Sequence, residues 1–142
     1  MTFAEFLNRG FIGNILMSGT TGAKFTTLYI TAFVLSIVSG YLLGSINTAI
    51  IISRLVYGTD IRTQGSKNAG MTNMLRVYGK KAALFTLLGD LFKTFLAFVV
   101  GTVVFGVRGA YFACFMCVVG HIFPVFYRFR GGKGVAATAM MV

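Results

Sequence analysis

The sequence predicts an all-α fold, a polytopic bundle of transmembrane helices, and three observations support this. Of the 142 residues, 56% are hydrophobic and 11% are charged, whereas soluble domains carry roughly 25% charged residues. The mean hydropathy is +0.82. Apolar runs of about the 20 residues needed to cross a bilayer alternate with short basic loops. High hydrophobicity excludes a disordered chain, and a net charge of +10 confined to short patches argues against a nucleic-acid-binding module.

Residues 1–26 form a mixed segment that we predict to be an interfacial helix or a loose N-terminus. Its apolar residues make it amphipathic at best, and Glu5 precedes Arg9. The segment therefore lacks the basic start of a signal peptide. The membrane domain is expected to occupy residues 27–142.

Three apolar stretches are predicted to span the membrane: residues 27–57, 82–107 and 109–127. A fourth begins at Gly134 and continues to Val142, where the sequence stops. The loops after the first and third spans hold eight of the 13 basic residues. Lys and Arg concentrate in cytoplasmic loops, so these two loops are expected in the cytoplasm and the N-terminus outside.

The loop between the first two spans, residues 58–79, combines glycines, short hydrogen-bonding side chains and arginines. Glycine allows the backbone to approach a ligand closely, and arginine forks onto phosphate or carboxylate. We expect an anion site here. The alternative is a solvated loop that follows the positive-inside rule, which explains the basic residues but not the clustering of glycine with Ser, Asn and Thr. A short helix over residues 72–76 would add a favourable N-terminus. The candidate ligand-binding residues are Arg62, Ser66, Asn68, Thr72, Asn73 and Arg76.

The loop after the third span, residues 128–138, places Gly131, Gly132 and Gly134 around Lys133, just before a helix. Exposed backbone N–H groups at a helix start, together with a lysine, are suited to phosphate. The alternative is a basic linker that is rich in glycine. The Walker A pattern is absent because Gly134 follows the lysine where Ser or Thr is required, so a nucleoside triphosphatase is not predicted.

Asp90, Lys93 and His121 are ionisable residues that fall within the second and third predicted spans. Asp90 and Lys93 share a helical face and are predicted to pair structurally, with a polar support beneath the site as the alternative. His121 is predicted to be a packing or hydrogen-bonded residue, with a general base as the alternative. Pro124 should unwind the end of the third span. Phe126 stands where a His-x4-Asp acyltransferase would carry its aspartate.

Small residues in the spans have a simpler interpretation. Gly40 and Gly44 form a stripe that lets another helix approach closely, and Ser45 either packs there or lines the site. Cys114 and Cys117 lack the βαβ setting of a redox motif and the further ligands of a zinc site. Carboxylates are few and scattered, so no metal and no cofactor is predicted.

Several ordered motifs resemble one family. They are Gly44-Ser45-Ile46; Asp60-Ile61-Arg62-x-x-Gly65-Ser66-x-Asn68-x-Gly70-x-Thr72-Asn73-x-x-Arg76-x-x-Gly79-x-Lys81; Asp90-x-x-Lys93; and Gly120-His121-x-x-Pro124-Val125-Phe126 followed by Gly131-Gly132-Lys133-Gly134-Val135-Ala136. From about residue 41 onward the chain resembles the acyl-phosphate:glycerol-3-phosphate acyltransferases of bacteria. Lys67 departs from the glycine that is common in that family, and Asn47 departs from a proline or small residue.

The resemblance implies an inner-membrane enzyme of seven spans that transfers a fatty acyl group from acyl phosphate to the 1-hydroxyl of glycerol 3-phosphate, yielding lysophosphatidic acid and phosphate. The family continues for about three more spans and a third motif, so we expect this chain to be the N-terminal two-thirds of such an enzyme, with little activity alone. The competing class is a non-enzymatic, anion-binding or transporter-like membrane protein.

The resemblance also assigns roles to individual residues. It implies that both substrates and membrane lipid are the partners, and that phosphate is held by the motifs of both loops. The catalytic candidates are Ser66, Arg76 and His121, and the substrate-binding candidates are Ser45, Arg62, Asn68, Thr72, Asn73, Gly131, Gly132, Lys133 and Gly134.

Overall fold

The computed structural model describes residues 2–17, 19 and 22–141, and within these ranges the chain is helical, with no strand. Residues 1, 18, 20 and 21 of the predicted N-terminal segment, and Val142, lie outside the described residues. The helices are α1 (Phe3–Met17), α2 (Ala23–Ser45), α3 (Thr48–Tyr57), α4 (Met71–Tyr78), α5 (Lys80–Ile122) and α6 (Val135–Met141), with short 3-10 helices at Ile61–Thr63 and Val125–Tyr127.

The predicted first span is broken in two, which corrects the expectation of one helix over residues 27–57. Ile46 and Asn47 are extended, with ψ of 105° and 108°. Asn47 is buried and accepts a hydrogen bond from the Ile50 N–H at 3.1 Å, which caps α3. Its side-chain N–H donates to the Ala69 carbonyl at 3.3 Å. The break arises because a capping Asn satisfies the start of a new helix.

Helix α5 folds back on itself. Lys93 Nζ lies 2.8 Å from His121 Nδ1, whereas 28 residues of straight helix would separate them by about 42 Å. The turn is at Phe105 and Gly106, where Gly106 has φ 63° and ψ −156°. We call residues 80–104 the first limb and residues 107–122 the second limb. They correspond to the predicted spans 82–107 and 109–127, except that the second limb ends at Ile122, before Pro124 as expected.

Small residues allow the helices to pack closely. A Cβ on Gly40 would overlap the Ala113 backbone of the second limb, and one on Gly44 would overlap the Cys117 backbone. The same holds between the limbs, where a Cβ on Gly101 would overlap the Gly109 carbonyl. The predicted packing role of the glycine stripe is therefore confirmed.

The outer surfaces of α2 and α5 are apolar. Two helical stretches, Ala23–Tyr57 and Lys80–Tyr127, are long and apolar enough to cross a membrane by length and composition, with mean hydropathies of 1.7 and 1.8. Helix α1 is kinked at Gly10, where φ is 69°. Gly10 contacts the turn of α5 at Phe105 and Gly106 so closely that a Cβ would not fit.

Candidate functional site

Arg62, which is ion-paired with Asp60, fastens the loop after α3 to the loop after α5. The Asp60 carboxylate accepts from Arg62 Nη2 at 2.7 Å and from Arg54 Nη2 at 2.8 Å. Arg62 Nη1 donates to the carbonyls of Tyr127 at 2.9 Å and Arg130 at 3.1 Å. The hydrogen bond from Arg62 is the largest cause that holds the pKa of Asp60 well below its ordinary value of 3.8, and it raises the pKa of Arg62.

Asn73 holds the same loop from inside. It is 1% exposed, and its Nδ2 donates to the carbonyls of Ile61, Gln64 and Asn68 at 3.2, 3.0 and 3.1 Å. Its Oδ1 accepts from the Ser66 N–H at 2.9 Å. The amide thus replaces the secondary structure that this loop lacks, because buried backbone groups must find partners.

Helix α4 begins directly after this loop. It spans Met71–Tyr78, so the expectation of a short helix around residues 72–76 is confirmed. Gly70 is its N-cap and contributes no side-chain hydrogen bond. Thr72 and Arg76 lie four residues apart and therefore project from the same face of the helix.

The second loop returns to the end of α5. The N–H groups of Gly131 and Gly132 donate to the carbonyls of Ile122 and His121, each at 3.1 Å. A Cβ on Gly132 would overlap the His121 ring and the Ala69 carbonyl. Glycine is required here because the two loops and α5 meet without space for a side chain. Gly134 follows with φ +74° and leads into α6.

The two loops enclose a cleft of about 420 Å³ against the first limb of α5, which we call the two-loop cleft. Asp90 and Leu87 contribute to one wall, and α6 contributes Val135, Ala136 and Ala139. The structure brings seven of the predicted site residues together here: Ser66, Asn68, Thr72, Arg76, His121, Lys133 and Gly134.

Five predicted site residues lie outside this lining. Arg62 forks onto Asp60 and two carbonyls rather than facing the cleft, and Asn73 is buried behind the loop. Ser45 is buried, donates to the Tyr41 carbonyl at 2.8 Å and accepts from the Val125 N–H at 3.4 Å. Gly131 and Gly132 support the second loop through their backbones. These five residues make contacts that support the loops and α5, and their direct contact with a ligand stays a prediction.

A buried polar cluster lies beneath the cleft. Lys93 Nζ is 3.0 Å from Asp90 Oδ1, so the predicted pair is confirmed. It also contacts the Ile46 carbonyl at 2.8 Å and the Gly44 carbonyl at 3.3 Å. These carbonyls are accessible because the helix breaks between α2 and α3. Asp90 also lines the cleft, so the alternative of a polar support beneath the site is consistent with the same geometry.

The cluster fixes the hydrogen-bonding role of His121. The ring is 4% exposed, and its Nδ1 lies 2.8 Å from Lys93 Nζ. An ammonium can only donate, so Nδ1 accepts and the proton of the neutral ring is on Nε2. With this tautomer His121 presents a donor at Nε2, and the general-base role stays the alternative prediction. The hydrogen-bonded interpretation of this residue is confirmed.

The chemistry of the two-loop cleft suits a phosphate. It gathers the cations Arg76 and Lys133, both exposed, with the hydroxyl of Ser66. The carboxylate in its lining, Asp90, is paired with Lys93. Sequence reasoning did not assign Asp90 to the lining. The available signal was its position on the same helical face as Lys93, close to the predicted loop.

The fold defines a class: an all-helical integral membrane protein with a polar, cation-bearing cleft between two loops. The family model for glycerol-3-phosphate acyltransferase matches residues 34–142, and the chain belongs to this family. The family resemblance stated from the motifs is therefore confirmed.

Individual relatives agree. The chain is 49% identical over 110 residues to a glycerol-3-phosphate acyltransferase of Finegoldia magna, covering 78% of this chain and 55% of the relative. It is 50% identical over 107 residues to one of Coxiella burnetii, covering 74% and 55%. The chain thus spans about 55% of the length of these curated relatives.

Solved structures show the same fold. The chain matches crystal structures of PlsY (YgiH), an integral membrane glycerol 3-phosphate acyltransferase. The glycerol 3-phosphate form matches with a TM-score of 0.70 and 36% identity, covering 78% of this chain and 56% of PlsY. The lysophosphatidic acid form matches with a TM-score of 0.65 and 34% identity, covering 78% and 55%.

Proposed function

We propose that this chain forms the N-terminal part of an enzyme that transfers a fatty acyl group from acyl phosphate to the 1-hydroxyl of glycerol 3-phosphate. The observation that carries the proposal is the two-loop cleft, in which Arg76 and Lys133 from separate loops meet the Ser66 hydroxyl. Both substrates bear phosphate, which two cations and short hydroxyls would hold. Membership of the family supports acyl transfer, and the glycerol 3-phosphate form of PlsY supports the acceptor.

The reaction needs no covalent enzyme intermediate because acyl phosphate is already activated. The acceptor hydroxyl oxygen attacks the acyl carbonyl carbon, the carbon–oxygen bond to phosphate breaks, and inorganic phosphate leaves with that bonding pair. Arg76 and Lys133 hold the phosphates and stabilise the developing charge, which is catalysis by positioning and electrostatics. A phosphate oxygen of the substrate takes the hydroxyl proton. His121 acts through its Nε2–H as a donor.

The same proposal includes the arrangement in the membrane. Helix α2 and the two limbs of α5 are three spans of an expected seven, the two loops are cytoplasmic, and the N-terminus is outside the bacterial inner membrane. The concentration of basic residues in the two loops supports this orientation. Residues 27–142 form the membrane domain, and residues 1–26 precede it.

The donor is tested with membranes that contain the complete seven-span enzyme. Acyl phosphate, acyl-CoA and acyl-carrier protein are supplied separately with radiolabelled glycerol 3-phosphate, and lysophosphatidic acid is quantified. We expect product from acyl phosphate alone. Product only from acyl-CoA, or from no donor, contradicts the proposal.

The cleft is tested with Arg76→Ala in the same enzyme. We expect at least a 100-fold loss of turnover, as for other groups that stabilise charge in a transition state, with unchanged membrane insertion. Arg108→Ala is the matched control because Arg108 is an exposed arginine beside the turn of α5, away from the cleft. Wild-type turnover in Arg76→Ala, or an equal loss in the control, would contradict the role of Arg76.

A further inference from the structure

A second cleft, of about 580 Å³, lies on the other side of the first loop. Its lining includes Lys67, Arg128 and Arg130, together with the Asp60–Arg62 pair, and we call it the cationic cleft. The two-loop cleft takes Ser66 and Asn68 from the same loop. The side chain between them, Lys67, thus belongs to the opposite face, so the loop separates two distinct surfaces.

Backbone conformation presents these cations. Lys67, Arg128 and Phe129 have φ of 59°, 57° and 56°, a left-handed conformation that is unfavourable for residues with a Cβ. Such conformations persist where the surroundings hold them, and they concentrate at functional sites. Here the support is Arg62, which bonds to the carbonyls of Tyr127 and Arg130 and fixes the turn that carries Arg128.

The charge of the cationic cleft is not compensated by its own residues. Asp60 is its acidic member and is already paired with Arg62 at 2.7 Å and Arg54 at 2.8 Å. Within the described ranges, Lys67, Arg128 and Arg130 form no ion pair with a carboxylate. Three unpaired cations around one cavity would attract a multiply hydrogen-bonding anion such as a phosphate.

Exposed aromatic side chains lie close in sequence to Arg128 and Arg130. Phe123, Phe126 and Phe129 are 55%, 59% and 58% exposed, and Phe129 lies between Arg128 and Arg130 in the chain. Aromatic residues are enriched at the membrane–water boundary, where basic residues meet anionic headgroups. The segment therefore offers apolar side chains suited to acyl chains and cations suited to phosphate. A free phosphate ion would use the cations alone.

We propose that the cationic cleft binds the headgroup phosphate of an anionic phospholipid in the cytoplasmic leaflet, with the phenylalanines against its acyl chains. The proposal rests on the membrane orientation proposed above and is independent of the acyl-transfer reaction. It gives the protein a lipid-binding site separate from the two-loop cleft, with Lys67 in the lining of the lipid site.

The test is native mass spectrometry of the complete enzyme, delipidated in detergent and mixed with equal amounts of phosphatidylglycerol and phosphatidylcholine. We expect the wild type to retain phosphatidylglycerol at least tenfold over phosphatidylcholine. The triple variant Lys67→Gln/Arg128→Gln/Arg130→Gln should lose this preference. Lys24→Gln/Lys80→Gln/Lys81→Gln removes the same charge from exposed positions outside the cationic cleft and should retain it.

A second variant, Lys67→Gly, keeps the proposal testable if the triple variant does not fold. Glycine accepts the left-handed φ of this position, so the substitution relieves backbone strain while it removes one cation. We expect about a fivefold weaker preference, in line with the contribution of one basic residue near a lipid surface. Unchanged retention in both variants, or equal loss in the lysine control, overturns the proposal. Inorganic phosphate is then added in roughly tenfold excess over the lipid. If it displaces phosphatidylglycerol, the cleft is assigned to free phosphate instead.

Acyltransferase activity, measured in the same samples, separates this proposal from the proposed function. Retained lipid preference without acyl transfer would contradict the proposed reaction alone. Acyl transfer without lipid preference would contradict the lipid site alone.

Discussion

Replacing Asn73 by aspartate should destabilise the first loop, although the two side chains have almost the same shape. The substitution keeps the acceptor for the Ser66 N–H and removes the two amide protons that the carbonyls of Ile61, Gln64 and Asn68 share. Each hydrogen bond contributes about 1 kcal/mol net, and a buried carbonyl left unpaired adds to the loss. We therefore expect the loop to be destabilised by about 2–3 kcal/mol.

Hydrogen exchange of the loop amides measures this directly. The amides of Gln64, Lys67 and Gly70 are bonded within the loop, so they report its local opening. A loss of about 2–3 kcal/mol corresponds to exchange about 30- to 150-fold faster, at 1.36 kcal/mol for each factor of ten. Peptides from α5 should keep their wild-type exchange, because Asn73 makes no hydrogen bond to that helix.

The matched control is Thr72→Val, which alters the exposed neighbour of Asn73 without changing its shape. This variant should exchange like the wild type in the loop. If Asn73→Asp exchanges within threefold of the wild type, the buried amide does not hold the loop and the reasoning is refuted.

Two further predictions concern packing and charge. Gly44→Ala should destabilise the protein by about 1–3 kcal/mol, because a Cβ would overlap the Cys117 backbone. The loss is measured as a lower melting temperature in detergent. An unchanged melting temperature, or an equal loss in the exposed control Leu42→Ala, contradicts this prediction. Asp60→Asn should destabilise the protein near neutral pH, since the folded pKa of Asp60 is lowered. The difference should shrink as the pH falls from 3.8 through the lowered folded pKa, because the carboxylate of the unfolded wild type binds a proton first. A pH-independent difference contradicts this prediction.

The sequence was sufficient where the cause is local. Hydropathy identified the apolar helices because burial in lipid depends on composition over about 20 residues. The Gly40–Gly44 stripe indicated close packing because the absence of a Cβ lets two helix backbones approach closely. Motif order was enough to identify the family, since the arrangement of Gly, Ser, Asn and Arg in the two loops is long and specific.

The helix break at Ile46–Asn47 was not predicted, because neither residue is proline or glycine and the predicted span of residues 27–57 runs across them. Asn47 caps α3 locally through the Ile50 N–H, and its side chain also reaches the Ala69 carbonyl, 22 residues away along the chain. The break opens the carbonyls that hold the Lys93 ammonium. A local cap and contacts between distant segments thus fix this backbone conformation together.

By itself, the sequence determined an all-helical membrane fold, the family, and the two loops in which the site lies. Only the tertiary structure decided which of two similar arginines faces the cleft. Arg62 and Arg76 lie in the same loop with the same chemistry, yet Arg62 is held by Asp60 and by carbonyls 65 and 68 residues away. Arg76 is carried into the two-loop cleft by α4. Composition cannot separate them because the difference is the set of partners that folding brings within hydrogen-bonding distance.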